Sequence, residues 1–178
     1  MAQDGGGRSG GWGLTALRVA TGALMVGHGM QKLRDLDRVG QVFDMIGLKP
    51  GREHALLASI TETGAGVASV LGLWTPAASA AVTGTMTVAI AKVHGKNGPW
   101  ITDRGYEYNA TLIAIAFALA AAGPGRLAAD GLVTRRRANL GWAIAELAVG
   151  AGTALAVMAA AERRAKPQAV ALPDATPA

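Results

Sequence analysis

Two long stretches of this chain contain no Asp, Glu, Lys or Arg, one from Thr63 to Ala91 and the other from Tyr108 to Gly125. A helix of that length in water needs a polar face, so these segments call for an apolar solvent or deep burial. The second stretch leaves a short polar, aromatic loop, runs through an apolar segment and stops at Gly123-Pro124-Gly125-Arg126. Aromatic rings and charges beside a charge-free run are the pattern of a chain crossing from the lipid-water interface into hydrocarbon. No strand-like alternation and no internal repeat accompanies it. The expected fold is all-α, a membrane-embedded antiparallel helix bundle.

Composition agrees once its distribution is considered. The chain is 51% hydrophobic and 16% charged, but its mean hydropathy is only +0.28 because Ala and Gly supply much of the apolar count. The net charge of +5 does not point to nucleic acid. Basic residues collect at span ends, and the aromatics needed for base stacking are few, so the expected partner is anionic membrane lipid. With no cysteine, the chain itself carries no disulfide, thiol relay, iron-sulfur cluster or covalent c-type haem. Any redox role needs another cofactor or partner.

Five spans are expected. Residues 1–11 are Gly-rich and polar, which predicts a disordered segment. Trp12 to Gln31 forms the first span, read as uncleaved because it contains Arg18 and lacks a small-x-small site. A surface loop follows with an amphipathic piece from Val39 to Ile46. His54 to Trp74 and Pro76 to His94 make an antiparallel hairpin across a tight Trp74-Thr75-Pro76 corner. Tyr108 to Gly123 is the fourth span and Gly141 to Ala161 the fifth. The boundaries are a core at 12–132, a basic loop with the fifth helix at 133–164, and a disordered tail at 165–178. Small residues four apart, such as Ala68 with Gly72 and Ala80 with Gly84, suit close helix approach in lipid.

Ionisable groups at membrane depth cost roughly 2.5 to 3.5 kcal/mol on insertion scales and by default mark partners or function. The deep candidates are Arg18, Glu62 and Glu146. With the amino terminus on side A, a rise of about 1.5 Å per residue puts Arg18 roughly 9 Å below that side, Glu146 roughly 7 Å and Glu62 roughly 18 Å. Arg18 clamped by the two carboxylates is one reading of this buried charge network. Glu62 as a proton-handling or ligand-binding group is the other. Gly22, Met25, Gly29 and Lys32 lie within roughly 40° of Arg18 around the first helix, so that face should meet the bundle.

All three histidines, His28, His54 and His94, fall on side B with Lys32, Lys92, Tyr106, Glu107 and Tyr108. Interfacial anchoring explains such residues. So does a polar pocket at the bundle mouth, lined by His28, Lys32, Glu62, His94, Tyr106 and Glu107. No metal site is expected, and haem is disfavoured because neither H-x-x-H nor H-x-x-x-H occurs. A quinone headgroup needs only one or two donors in an apolar slot, which His28 or His94 with Tyr106 can supply.

His94, Asn97-Gly98, Gly105-Tyr106-Glu107-Tyr108-Asn109, the exit Gly123-Pro124-Gly125-Arg126 and Asp130 resemble the DoxX family of small bacterial membrane proteins. Leu17-Arg18, Gly22, His28-Gly29, Lys32, Glu62, Gly64, Gly66 and Leu71-Gly72-Leu73 extend the resemblance. It covers roughly Leu17 to Leu132, with the second half the more specific. It implies a four-helix, multi-pass protein of the bacterial inner membrane that is accessory to a quinone-linked oxidoreductase or an oxidative-stress system rather than a stand-alone enzyme. Redox-complex proteins are then the expected partners. Asp103-Arg104 and the segment from Arg135 onwards depart from the family pattern. A small transport module and a structural scaffold are the alternatives. Lys and Arg counts place side B in the cytoplasm, whereas the family expectation places side A there.

Overall fold

The computed structural model describes residues 6–133 and 138–165, and all its regular elements are helical. They are α1 (Gly6–Leu33), α2 (Leu36–Met45), α3 (Gly51–Leu71), α4 (Thr75–Ala89), α5 (Glu107–Ala122), α6 (Asp130–Val133) and α7 (Leu140–Ala165). A π-helical turn, Ile90–His94, continues α4, and two short 3₁₀ turns follow it. The α1 helix starts at Gly6, before the expected Trp12, so residues 6–11 are helical. The disorder expected of residues 1–5 and 166–178, and the Arg135-Arg136-Arg137 cluster, lie outside the described residues.

Local signals set the helix ends. Gly72 takes a left-handed conformation and closes α3, its N–H reaching Ser69 O at 3.0 Å while Leu73 N reaches Ala68 O at 2.9 Å. Pro76 follows in the first turn of α4, where a missing N–H costs nothing. Gly123 and Pro124 stop α5 as expected.

The broadest helix contact is between α1 and α3, and α4 against α7 is next. A Cβ on Gly22 would come within 2.6 Å of Gly66 O, and one on Gly66 within 2.6 Å of Gly22 O. Only glycines allow these antiparallel backbones to approach so closely. Gly150 sits the same way against Ala80 O, where a Cβ would lie at 2.7 Å. The expected Ala80 and Gly84 pair thus lies at a real helix crossing, whereas Gly72 serves as a cap.

The α4 and α7 helices run parallel. Thr83 meets Glu146, Gly84 meets Gly150 and Lys92 pairs with Glu162 at 3.2 Å. Arg164 pairs with Glu53 at 3.1 Å, which fixes the end of α7 beside the start of α3 on side B. Met25, Ala65, Val82, Met86, Leu112 and Ala116 form the central core. The amphipathic α2 packs on α3, and Phe43 and Ile46 meet Met158 and Ala161 of α7.

Much of the remaining apolar surface faces outward. Leu17 and Leu24 of α1, Leu57 and Ile60 of α3, and Ile144 and Leu155 of α7 are all exposed. Among the described helices, α7 alone joins the length and apolarity of a crossing, and α5 is apolar but only 16 residues long. The sequence itself explains the difference, since α1 carries Arg18 and His28, α3 carries His54 and Glu62, and α4 ends in a π turn.

Candidate functional site

Arg18 is 1% exposed, yet its guanidinium forms no ion pair with a carboxylate among the described residues. Nε donates to Pro124 O and Nη1 to Ser69 O, both at 2.8 Å, and Nη1 also reaches Val70 O. Nη2 donates to Arg126 O and Leu127 O at 3.3 Å each. The five N–H groups of an arginine are thereby all used. Two of the acceptors, Ser69 O and Val70 O, belong to the last turn of α3, where the carbonyl end of the helix favours a cation.

Asp130 completes this seal from the opposite charge. Its carboxylate accepts from Trp74 N at 2.7 Å, Thr75 N at 2.9 Å and Thr75 Oγ1 at 2.7 Å, which caps the amino terminus of α4. Ala129 N and Asp130 N donate to Leu71 O and Gly72 O at 3.0 and 2.8 Å. The exit segment after Gly123 is therefore stitched onto the α3–α4 corner. Gly125 has φ +80° and packs so closely that a Cβ would lie 2.6 Å from Thr15 N. The Arg126 guanidinium stacks 5.1 Å from the centre of the Trp12 ring.

The expected network of Arg18, Glu62 and Glu146 is not formed. Glu62 pairs with Lys32, and Glu146 accepts from Thr83 Oγ1 at 2.8 Å. Side chains lean towards the amino terminus of their helix. That lean draws Arg18 towards side A, and on the antiparallel α3 it draws Glu62 towards side B. It also brings Lys32 back towards Glu62. Depth estimates from Cα positions alone miss this divergence.

A cavity of about 670 Å³ lies among α1, α2, α3, α4, α5 and α7, reaching from side B as far as Ala77 and Ala80 near the start of α4. Its walls are mostly apolar, from Phe43, Leu48, Leu57, Met86 and Val157, and its polar groups gather towards side B. The Lys32–Glu62 ion pair is one of them, with Glu62 5% exposed. Tyr108 Oη lies 3.4 Å from His28 Nε2, the two rings tilted at 56°. His54 also lines the cavity, and its Nε2 is buried with no hydrogen-bond partner among the described residues. His94 holds Arg104 O through Nδ1 at 2.8 Å. A carbonyl only accepts, so Nδ1 carries the hydrogen, and Nε2 of the neutral ring is an acceptor.

Of the residues expected to line a pocket, His28, Lys32, Glu62 and His94 do so, while Tyr106 and Glu107 do not. The Glu107 carboxylate accepts from Ile101 N at 2.7 Å, and Tyr106 N donates to Gly98 O at 3.1 Å. Both residues therefore shape the loop between α4 and α5. Tyr108, Asn109 and His54 join the lining instead. Helical phase is the signal that separates them, because one residue beyond Glu107 turns the side chain by about 100° onto the cavity face.

Residues 13–95 match the family model described as DoxX. The matched segment spans most of α1 through the π turn after α4, including Arg18, Lys32, Glu62 and His94. It ends before Gly105-Tyr106-Glu107-Tyr108-Asn109, so the match rests on the half of the resemblance read as looser. No curated protein and no solved structure matches the chain.

Proposed function

The chain belongs to the DoxX family of small membrane proteins through residues 13–95, and from that premise we propose that its side-B cavity binds an apolar small molecule with a carbonyl or hydroxyl head, of the quinone class. In this reading the protein is an accessory, quinone-binding subunit of an oxidoreductase or oxidative-stress system in the bacterial inner membrane. The observation that carries the proposal is the buried His54 Nε2, without a hydrogen-bond partner among the described residues, in the wall of a largely apolar cavity. Its volume falls within the roughly 300–1,000 Å³ of small-molecule sites. Burying a ring nitrogen without a hydrogen-bond partner is costly, and a ligand oxygen or hydroxyl would supply one.

The same reading has five helices, α1, α3, α4, α5 and α7, crossing the membrane together. The charges that spoil α1 and α3 as isolated spans are satisfied inside the bundle, Arg18 by carbonyls and Glu62 by Lys32. Exposed Trp12 and Trp74 on side A and Trp100 on side B suit the two interfacial belts. The exposed aliphatic residues of α1, α3 and α7 lie between them.

A bound quinone would supply two-electron, two-proton chemistry. For this chain, Tyr108 and His54 would orient the head by hydrogen bonds. The Lys32–Glu62 pair would keep a balanced charge beside it, and Phe43, Leu48 and Val157 would exclude water. The permeation alternative draws little support, because Arg18 has spent all its donors on carbonyls and does not line the cavity. The test is organic extraction of the full chain purified in nanodiscs, followed by mass spectrometry. Native quinone is expected to co-purify in stoichiometric amount and to fall several-fold with His54→Leu. Quinone no more abundant than in empty nanodiscs would defeat the reading.

A further inference from the structure

The α3 and α7 helices both line the side-B cavity, yet they make little contact with each other, and each packs instead on α4. A groove is left between them with α4 as its floor. Ala80, Ala81, Gly84, Thr85 and Val88 line that floor at the spacing of one helical stripe. It is roughly 12 Å long at a rise of about 1.5 Å per residue. The Thr85 hydroxyl is spent on Ala81 O and Val82 O at 3.1 and 3.0 Å. On the α7 wall, Thr153 Oγ1 likewise donates to Val149 O at 2.7 Å. Both threonines therefore present apolar surface to the groove.

Towards side B the groove is capped. There the Glu53–Arg164 pair joins α3 to α7, and Phe43, Ile46 and Leu48 meet Met158 and Ala161. Farther from side B it is open sideways, because Leu57 and Val149 line the cavity and are still 51% and 59% exposed. Exposed Ile60 of α3 and Leu155 of α7 flank the opening, so in the five-span reading it faces hydrocarbon. An unattached acyl chain in the groove would bring only methylenes up to His54 Nε2 and the Lys32–Glu62 pair. A chain that carries a polar head matches both ends, since buried polar groups need partners. We propose that this groove is the tail site of the cavity's ligand, a quinone-class molecule that enters sideways from the bilayer between α3 and α7. Its linear alkyl or isoprenoid chain lies along α4 while its head sits at His54. The inference rests on the head-binding reading and adds the chain, its place and its route of entry.

Calorimetric titration of the full chain in nanodiscs, corrected with empty nanodiscs, tests it with two probes, a decyl-substituted benzoquinone and its methyl counterpart. The decyl probe is expected to bind several-fold more tightly. Thr153→Trp and Val149→Trp, both at exposed positions in the groove wall, should each remove most of that advantage and leave the methyl probe unchanged. Leu155→Trp, exposed on the same helix outside the cavity, should alter neither affinity. Decyl affinity unchanged in both groove variants overturns the tail site, as does an equal loss for both probes. A loss in Leu155→Trp as large as in the groove variants assigns the chain to bulk bilayer and also overturns it. If both probes bind the parent equally, the tail site fails and the head reading stands, whereas binding of neither probe overturns both.

Discussion

Replacing Arg18 by Met keeps the length and apolar stem of the side chain and removes all five of its donors. The cost follows from what the carbonyls do next. Ser69 O still accepts from Gly72 N at 3.0 Å, and Arg126 O from Thr15 Oγ1 at 2.8 Å. Val70 O, Pro124 O and Leu127 O keep no other protein donor among the described residues. An acceptor left unsatisfied costs about 1 to 3 kcal/mol. The lower end applies here because the loop borders water and the substitution also relieves the desolvation of a buried cation. Arg18→Met should therefore destabilise the bundle by about 3 kcal/mol, and Arg18→Lys by about half that, since a lysine offers three donors from one point. The assay is thermal unfolding in detergent followed by circular dichroism, where about 3 kcal/mol corresponds to roughly 6–12 °C in a chain of this size. Trypsin cleavage after Arg126 should speed up in parallel as the loop detaches. A Met variant that melts within about 1 °C of the parent would refute the reasoning, because about 3 kcal/mol predicts a far larger shift.

Asp130→Ala removes the cap of α4 and is expected to cost about 1 to 2 kcal/mol in the same assay, with Asp130→Asn milder because one oxygen still accepts. Gly66→Val drives a side chain into Gly22 O and should separate α1 from α3. The expected readout is loss of the monodisperse peak in detergent chromatography, whereas Gly64→Ala, with open space around it, should leave the peak unchanged. Thr83→Val strips Glu146 of its described hydrogen bond, so a drop in melting temperature of several degrees is expected, consistent with about 1 to 3 kcal/mol.

The helical class and the turn points were legible because the signals are local. Gly72, Pro76 and Gly123-Pro124 terminate or start helices through backbone geometry that any context preserves. The early start of α1 was not legible, since Gly6 to Gly11 has poor intrinsic helix propensity and gains order from packing, as where Gly11 O accepts from Arg126 N at 3.1 Å. His28, Lys32 and His94 could be assigned to side B from topology alone, and Glu62 only to mid-depth. Which of them meet depends on the lean of each side chain along its helix, and that is why Arg18 and Glu62, on antiparallel helices, turn away from each other. Asp130 capping α4 from a distance of more than fifty residues left no local trace. Glu107 read as a pocket residue because it is acidic and follows a conspicuous loop, but its carboxylate is spent on Ile101 N.

The central claim is that a quinone-type head sits among His54, Tyr108 and the Lys32–Glu62 pair, and photolabelling addresses it most directly. The full chain in nanodiscs would be irradiated with an azido-substituted short-chain quinone, digested and mapped by mass spectrometry. Label is expected on peptides holding His54 to Glu62 and Tyr108-Asn109, and it should disappear with excess unlabelled quinone. Label confined to the outward faces of α1, α3 and α7, or insensitive to competitor, would contradict the account.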